Sequence, residues 1–382
     1  MNVRPLPSGA EVVIIGGGVI GASIAYHMAR RGMRPVLIER GQAGGHASLA
    51  SAGLLHPMTG PRVPAALRQL SAASFACYPA LTAELRETCG LDPQFRTTGF
   101  LYTAETVGRA GVVQRGHASA EEDGLGMTWL DGAQARQLEP ALGADIVGAL
   151  HAPRGAQVYV PALLQAYTQA AARRGATVLR GLRATGLITQ GQRVTGVRTE
   201  DGTIGTDAVV LAGGAWTAQS ADWLGASLPI YPLRGQILAL YGVPPPIRHV
   251  VFGHDIYLAP KADGSVVVGA TYERVGYDDR LTAQGVGWLL TTAPALVPGL
   301  AGLTFRQAWV GLRPASPDNM PLLGVLAGWD NVCVAAGHTA EGVLLSPITG
   351  HLIAQVIAAE APDLDLAPFS PTRFSTGERA CP

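Results

Sequence analysis

The sequence predicts an α/β fold in which strands alternate with helices, joined to a second unit of antiparallel strands. One observation is residues 11–40, where two apolar runs flank the glycines Gly16, Gly18 and Gly21. The other is residues 229–306, where short apolar runs with strand spacing follow one another. Together they predict a parallel sheet with helices and a separate antiparallel sheet.

Residues 11–40 have the pattern of the βαβ unit that binds dinucleotides. Gly16 permits the tight turn, Gly18 lets backbone N–H groups approach a pyrophosphate, and Gly21 lets the helix pack closely. The positive end of the helix then faces the phosphates. Glu39 stands where a carboxylate binds ribose hydroxyls and repels a 2′-phosphate. The segment therefore predicts bound FAD or NAD rather than NADP.

A membrane helix is the alternative interpretation of this segment. Residues 12–29 carry no formal charge when His27 is neutral, and they match the length of a bilayer span. The glycines at 16–18, however, fit a phosphate turn better than the interior of a span. A secretory signal is disfavoured, since the fingerprint would have to be cleaved or buried within it. We therefore expect no membrane span.

The composition fits a soluble globular enzyme. The 382 residues are 48% hydrophobic with a mean hydropathy of +0.22, which allows two domains and a large core. The 28 basic and 28 acidic residues cancel, so no basic field exists to gather nucleic acid. The cysteines lack the spacing of zinc ligands or of a disulfide framework, which favours a reducing, cytoplasmic setting. They are Cys77, Cys89, Cys333 and Cys381.

Residues 44–53, the small-residue loop, are mostly glycine, alanine and serine. With few large side chains, this loop either contacts a ligand through its backbone or forms a flexible linker. Its position directly after the strand that ends at Glu39 favours ligand contact. Apolar residues at helical spacing then predict helices at 64–90 and 132–139.

Another run of elements begins at Pro161, which suits the first turn of a helix that Gly175 ends. A strand at 177–179 and a meander through 193–202 follow. The buried strand after them runs into two glycines, which either approach a ligand or make a plain strand-to-helix turn. These glycines are Gly213 and Gly214.

The C-terminal third contains a second glycine-rich signal. Residues 311–324 and a strand at 332–335 lead into residues 337–350, whose later part begins a helix that reaches Ala358. A glycine-flanked loop before a helix presents free N–H groups and positive dipole potential. A reduced flavin, which is anionic at N1 and C2=O, needs such an environment.

These segments make the chain resemble the FAD-dependent D-amino acid oxidase superfamily and, within it, the glycine oxidases of thiamin synthesis. The resemblance covers essentially the whole chain, and includes Gly-Gly-Ala-Trp at 213–216, Gly-Leu-Arg-Pro at 311–314 and the Gly-His loop at 337–342. It implies a Rossmann-like FAD-binding domain interleaved with an α+β substrate domain whose antiparallel sheet covers the flavin. The implied bounds are 1–84, 149–227 and 306–382 for the FAD-binding domain, and 85–148 and 228–305 for the substrate domain.

The resemblance also implies which residues contact FAD, at positions that match the family's motifs. They lie in the fingerprint, the small-residue loop, the segments after the later strands and the Gly-His loop. The implied residues are Gly16, Gly18, Val19, Ile20, Gly21, Glu39, Arg40, Ser48, Ala52, Gly53, Leu54, Ala184, Gly214, Trp216, His338, Thr339, Ala340, Glu341, Gly342, Val343 and Leu344.

Two residues match the family's substrate-binding positions. Arg313 matches the arginine that holds the substrate carboxylate, and its guanidinium offers a planar fork that lysine does not copy. Tyr257 matches the tyrosine that assists it. The alternatives are an ion-paired or surface arginine and a core tyrosine. For His338 we expect a structural hydrogen bond at the turn near the flavin rather than a catalytic role.

Two departures from the family pattern affect the expected substrate and cofactor attachment. Related glycine oxidases carry an aromatic residue and then Arg-Asn inside the Gly-His loop, whereas this chain has Thr339, Ala340 and Glu341. A second cation near the substrate is therefore missing, and an inward-pointing Glu341 could receive an ammonium group or tune the flavin. Monomeric sarcosine oxidases attach their flavin through a cysteine in the segment that matches residues 309–318. No cysteine lies there, so noncovalent FAD is expected.

The implied activity is oxidation of glycine or another small amine-bearing acid by hydride transfer from the α-carbon to flavin N5. Arg313 and Tyr257 would orient the carboxylate. The imino acid then hydrolyses to a 2-oxo acid and ammonia, and O2 reoxidises the flavin to give H2O2. Alternatives are a D-amino acid or N-methyl amino acid dehydrogenase with another acceptor, a 2-hydroxy acid oxidoreductase, or a noncatalytic flavin-binding subunit. Any of these is compatible with a homo-oligomer.

Acid precipitation of the purified protein should release its flavin, because no cysteine at 309–318 is available to attach it. The measurement is the absorbance spectrum of the supernatant and of the washed pellet. Yellow colour that stays in the pellet would show a covalent link and contradict the expectation.

Overall fold

The computed structural model describes residues 6–41, 46–60, 62–122 and 125–374. Within them helices and strands follow one another along the chain, with runs of consecutive strands at 177–211, 231–269 and 304–336. The helices are α1 (Val19–Arg30), α2 (His46–Ala50), α3 (Ala65–Cys89), α4 (Val107–Glu122), α5 (Gly132–Leu138), α6 (Val160–Arg173), α7 (Thr217–Asp222), α8 (Ala283–Leu296) and α9 (Gly342–Ile357).

The strands form two large sheets and one small sheet. Strands in the N-terminal half are β1 (Gly9–Ile15), β2 (Val36–Glu39), β3 (Leu54–Leu55), β4 (Arg96–Thr97), β5 (Phe100–Ala104), β6 (Thr128–Asp131), β7 (Gly148–Ala152), β8 (Ala156–Gln157), β9 (Thr177–Arg180) and β10 (Ala184–Gln190). They continue as β11 (Arg193–Thr199), β12 (Gly202–Leu211), β13 (Tyr231–Tyr241), β14 (Val250–Gly253), β15 (Ile256–Pro260), β16 (Ser265–Gly269), β17 (Thr304–Ala315), β18 (Leu322–Val325) and β19 (Val332–Ala336).

The first sheet has a parallel centre in the order β19, β12, β1, β2 and β9. β10 and β11 form an antiparallel meander with the first part of β12, and β18 pairs antiparallel with β19. The unit β1–α1–β2 is the predicted βαβ unit, so the membrane-helix interpretation of residues 12–29 is wrong. Among the described residues, no helix combines the length and apolarity that a membrane crossing requires.

The parallel centre is buried on both faces, as parallel sheets are. Along β1, Val12 and Ile14 pack into one core, whereas Val13 and Ile15 pack into another. The first core lies under α1, α3, α6 and α9. This alternation follows from the period of two in a strand, and it fixes the register of β1 between its neighbours.

The second sheet has the order β17, β13, β16, β15, β14, β5, β7 and β6. Its pairings are antiparallel except for that between β14 and β5. One face packs against α8, where Leu238 and Leu289 belong to one core; the opposite face carries Ile237 and Tyr257. Its β17 ends at Ala315, after which β18 and β19 belong to the first sheet. The chain thus crosses between the sheets several times.

Most predicted elements occur near their predicted positions, including α3, α5, α6 and the strands between 177 and 211. The helix α8 lies within residues 229–306, where the apolar pattern predicts strands and no helix. It contains Gly285, Gly287 and Pro294, which weaken helix propensity, and it is held by packing on the second sheet. Tertiary contacts therefore override local preference at this helix.

Gly350 lies where α9 crosses α1. A Cβ at Gly350 would lie 2.3 Å from Ser23 Oγ and 2.8 Å from the Ser23 carbonyl carbon. We expect Gly350→Ala to lower the free energy of unfolding by roughly 1–3 kcal/mol, because the helices must separate. The measurement is denaturant unfolding of the holoprotein.

The matched control is Gly287→Ala in α8, where a Cβ would meet nothing within 4 Å. This change should raise stability by roughly 0.5–1 kcal/mol through helix propensity. Equal effects of the two substitutions would contradict the close helix crossing.

Candidate active site

A cavity of about 1210 Å³ lies between the first sheet and the second sheet. Its floor is formed by the ends of β1, β2, β12 and β19, because the carboxyl ends of parallel strands meet at one edge of a sheet. The second sheet forms the opposite wall with residues of β5, β13, β15 and β17. A ligand in this cavity contacts both sheets.

The turn after β1 requires glycine. Gly16 has φ +114°, and a Cβ there would lie 2.4 Å from the carbonyl oxygen of Ala212. A Cβ at Gly21 would lie 1.9 Å from the carbonyl oxygen of Gly16. Because both positions lack a side chain, α1 begins directly at the cavity. Gly18 and Ile20 line it there, where the first N–H groups of a helix have no intrahelical acceptor.

Glu39 ends β2 and lines the cavity. Its Oε2 accepts the N–H of Gly17 at 2.7 Å, and its Oε1 accepts the N–H of Gly41 at 2.7 Å. Each carboxylate oxygen has two lone pairs, so capacity for ribose hydroxyls remains. Close by, the Arg40 guanidinium stacks on the Trp216 ring at 3.9 Å. This end of the cavity has the groups that an adenosine moiety needs.

The small-residue loop contains a helix, α2, which does not fit a flexible linker. Ser48 Oγ accepts the N–H of Val19 at 2.9 Å and so joins α2 to the start of α1. The carbonyl oxygen of Ala52 accepts a hydrogen bond from Lys261 Nζ at 2.6 Å. These contacts fix the backbone beside the cavity. Gly44 and Gly45 lie outside the described residues.

The Gly-His loop connects β19 to α9. His338 Nε2 lies 3.1 Å from Thr349 Oγ1, while His338 Nδ1 is buried without a hydrogen-bond partner among the described residues. Burial lowers the pKa of His338 to about 3, so the imidazole is neutral at physiological pH. The Thr339 N–H donates to the carbonyl oxygen of Pro314 at 2.8 Å, which ties the loop to β17. The first turn of α9 therefore faces the cavity in a fixed position.

Arg313 extends into the cavity from β17. One of its N–H groups donates to the carbonyl oxygen of Thr271 at 3.1 Å, and its guanidinium stacks on Tyr272 at 4.3 Å. Gly235 on the paired strand makes room for it, since a Cβ there would lie 2.3 Å from Arg313 Nη1. A guanidinium has five N–H donors, so most remain for a ligand. Tyr257 lines the same region, and burial raises the pKa of its phenol.

An aromatic wall that the sequence did not reveal completes this end of the cavity. Tyr102 and Phe252 stack with ring centroids 4.8 Å apart, and Phe252 also contacts Tyr257. His56 packs against Tyr102, and burial lowers its pKa to about 4. Tyr102 and Phe252 face each other through the β5–β14 pairing, which joins residues about 150 positions apart. Such a nonlocal pairing leaves no signal in local spacing.

Glu341 points into the cavity, as one interpretation of the sequence required. It lines the cavity together with Arg313, and Glu341 also acts electrostatically on Tyr102. Burial raises the pKa of its carboxyl to about 7, while Arg313 lowers it to a smaller extent. Among the described residues, no hydrogen bond or ion pair engages this carboxylate. The end of the cavity that Arg313 and Glu341 line therefore has an uncompensated acid beside an available guanidinium.

Nearly all of the predicted site residues line this cavity, and two do not. Gly21 acts beneath it by permitting the contact with the Gly16 carbonyl. Leu344 is buried in the core under α9, where its carbonyl accepts a hydrogen bond from Ser74. Both support the cavity from behind rather than lining it. Arg234, another cation on β13, is buried in ion pairs with Glu273 and Asp278 and is not part of the cavity lining.

The cavity fits FAD. Two helix N-termini face it, Glu39 and Trp216 stand at one end, and Gly214 with φ +58° leaves open space beside it. Its volume exceeds that of common small-molecule pockets, roughly 300–1000 Å³, as a dinucleotide requires. Among the described residues, no cluster of His, Cys, Asp and Glu is suited to hold a metal ion.

Comparisons with known proteins agree with this fit. Residues 11–356 match the DAO family model, described as FAD dependent oxidoreductase. The glycine oxidase of Geobacillus kaustophilus is 35% identical over 365 residues, which are 95% of this chain and 97% of that protein. Its crystal structure superposes with a TM-score of 0.91 and covers 95% of this chain and 98% of that one.

Two further relatives are named for other activities. The hydrogen cyanide synthase subunit HcnC of Pseudomonas aeruginosa is 32% identical over 400 residues, which are 95% of this chain and 96% of that protein. The crystal structure of iminodiacetate oxidase from Chelativorans sp. is 32% identical with a TM-score of 0.85, and the match covers 94% of this chain and 98% of that one. Relatives at similar identity thus act in different reactions.

The raised pKa of Glu341 predicts a dependence of stability on pH. Its carboxyl titrates near 4.5 when unfolded and near 7 when folded, so between these values the folded protein binds more protons. The contribution of this carboxyl to the free energy of unfolding is therefore fully present below pH 4.5 and is lost as pH rises through 7. Relative to the parent, Glu341→Gln should gain thermal stability at pH 8, on the order of 2 °C, and gain little at pH 5. A difference that is independent of pH between 5 and 8 would contradict this.

Proposed function

This chain belongs to the DAO family of FAD-dependent oxidoreductases, and we propose that it oxidises glycine or another small amino acid or secondary amine that bears a carboxylate. The observation that carries the proposal is Arg313, whose guanidinium projects into the cavity without an acidic partner among the described residues. A partly buried guanidinium without an acidic partner matches a carboxylate. The glycine oxidase and iminodiacetate oxidase relatives are named for substrates with this chemistry.

FAD would be held without a covalent bond by the turn at Gly16–Gly18, Glu39, Ser48 and the first turn of α9. When bound, the flavin accepts a hydride from the substrate α-carbon. The substrate leaves as an imino acid, which hydrolyses to a 2-oxo acid and ammonia. The proposed electron acceptor is O2, with H2O2 as its product.

Arg313 and Tyr257 act by orientation. The guanidinium binds both carboxylate oxygens of the substrate in a planar fork. Tyr257 remains protonated because burial raises the pKa of its phenol, so its O–H can donate to the same carboxylate. Holding the carboxylate fixes the direction of the α-C–H bond, which contributes to rate without acid–base chemistry. The aromatic wall of Tyr102 and Phe252 lines this region with stacked rings.

The substitution Arg313→Ala tests the proposed function. It should retain FAD, because Arg313 lies at the substrate end, and should lose about two orders of magnitude or more in kcat/KM for carboxylate substrates. This estimate follows from a cost of about 2–5 kcal/mol for leaving a buried charged partner unpaired. Arg313→Lys should recover part of the loss, since the charge returns without the fork. Simple amines without a carboxylate should be little affected.

Arg306→Ala is the matched control on the same strand, because Arg306 is exposed and pairs with Asp263. Its kcat/KM should equal that of the parent. If Arg313→Ala oxidised amino acids as well as the parent does, the carboxylate anchor would lie elsewhere and the proposed function would be wrong.

A further inference from the structure

We propose that Glu341 receives the amine of the substrate and removes its proton. This inference rests on the proposed function and adds a second binding group to it. It concerns a residue at which this chain departs from the related sequences, since Glu341 and Ala340 stand where an Asn and an Arg are expected.

The position of Glu341 is the first argument. Glu341 is the residue before the first turn of α9, and its N–H donates to the carbonyl oxygen of His338 at 2.9 Å. The backbone is thus fixed while the side chain enters the cavity. Its electrostatic neighbours are Tyr102 on the second sheet and Arg313 on β17. The carboxylate therefore lies at the substrate end, beside the proposed carboxylate anchor.

The second argument is the missing partner. A carboxylate that is partly buried in a cavity loses hydration, which is costly unless it is paired or hydrogen-bonded, and among the described residues nothing pairs with Glu341. Arg313 is near enough to act on it electrostatically, yet the two form no ion pair. Two separated, opposite charges in one cavity are complementary to a zwitterion. The substrate carboxylate binds Arg313, and its ammonium binds Glu341.

The aromatic wall supports a cation at this position. Tyr102, Phe252 and Tyr257 form a continuous row of rings along the second sheet. Aromatic faces attract ammonium groups, and more strongly where water is excluded. A carboxylate next to such rings is a recurrent way to recognise an amine. The Glu341 carboxylate would repel a second carboxylate of a substrate at this position. Glu341 is therefore suited to an ammonium group and not to another carboxylate.

The carboxyl of Glu341 changes protonation near pH 7, whereas the nearby histidines do so at lower pH. Burial lowers the pKa of His338 to about 3 and that of His56 to about 4, so both rings are neutral above pH 5. Burial raises the pKa of the Tyr102 phenol, with a smaller effect from Glu341, and burial also raises the pKa of Tyr257. The titratable and charged groups that line this end are Glu341, Arg313, His338, His56, Tyr102, Tyr257 and Tyr272.

The proton transfer is balanced within the site. One N–H bond of the substrate ammonium breaks, one O–H bond forms on the Glu341 carboxylate, and the nitrogen keeps its electron pair. That pair is needed when hydride leaves the α-carbon, because it forms the C=N bond of the imino acid. Glu341 later returns the proton to solvent. An alkylammonium has a pKa of about 10 in water, so a base in contact with it extends activity toward neutral pH.

Binding to the FAD-loaded enzyme tests the assignment without turnover. 2-Methylalanine has an amine and a carboxylate but no α-hydrogen, and 2-methylpropanoate lacks the amine. At pH 8.5 the parent should bind 2-methylalanine at least about 10-fold more tightly, as measured by calorimetry. In Glu341→Gln this preference should fall below about 3-fold, and Glu341→Asp should restore part of it. Glu360→Gln, past the end of α9 and paired with Arg31, is the matched control and should keep the parent's preference.

The pH profile of kcat/KM is the second measurement. The parent should show an acidic limb near pH 7, and Glu341→Gln should shift that limb toward the pKa of the free amine, about 10. An unchanged limb together with an unchanged preference for 2-methylalanine would overturn the role of Glu341. If Glu341→Gln lowered kcat/KM only for substrates with a second amine, Glu341 would contact the substrate side chain. That result would also overturn the proposed role of Glu341.

The two proposals fail in different ways. If the parent binds 2-methylpropanoate and this binding depends on Arg313, while 2-methylalanine gains nothing, the carboxylate anchor stands and the role of Glu341 is wrong. If the parent binds neither compound, the proposed amino acid substrate is wrong, and the inference about Glu341 is wrong with it.

Discussion

The contact between Gly21 and the carbonyl oxygen of Gly16 determines where the cofactor cavity lies. A Cβ at residue 21 would lie 1.9 Å from that oxygen, so α1 can begin directly on the turn that ends β1. The N-terminus of α1 then faces the cavity, and Ser48 on α2 binds its first N–H group. Along its middle, α1 passes close to α9 at Gly350. Gly21 and Gly350 thus let α1 pack closely against the turn after β1 and against α9, beside one ligand site.

The sequence predicts those features that depend on the spacing of residues within a short segment. The glycines of the βαβ unit, the acidic residue at the end of β2 and the helix after the Gly-His loop each occupy a short segment, and each is found where it was expected. Arg313 and Tyr257 came from resemblance to a family, and they line the cavity together. The domain boundaries stay predictions.

Other features depend on residues that are distant in the chain. The space for Arg313 exists because Gly235 pairs near it on β13, and the aromatic wall exists because β5 lies beside β14. Neither of these strand pairings leaves a periodic pattern or a motif in the sequence. The protonation of Glu341 was equally hidden, since it depends on burial among side chains from several elements. Sequence identified Glu341 as a departure, and the fold determined its direction.

The pairing of β1 with β12 and of β12 with β19 has a consequence for synthesis on the ribosome. The first strand is complete by residue 15, whereas its central partner ends at residue 211 and the next strand at 336. During translation, the apolar faces of β1 and α1 must remain without their final neighbours until most of the chain has emerged. The first sheet can therefore be completed only late in synthesis, once residue 336 has emerged.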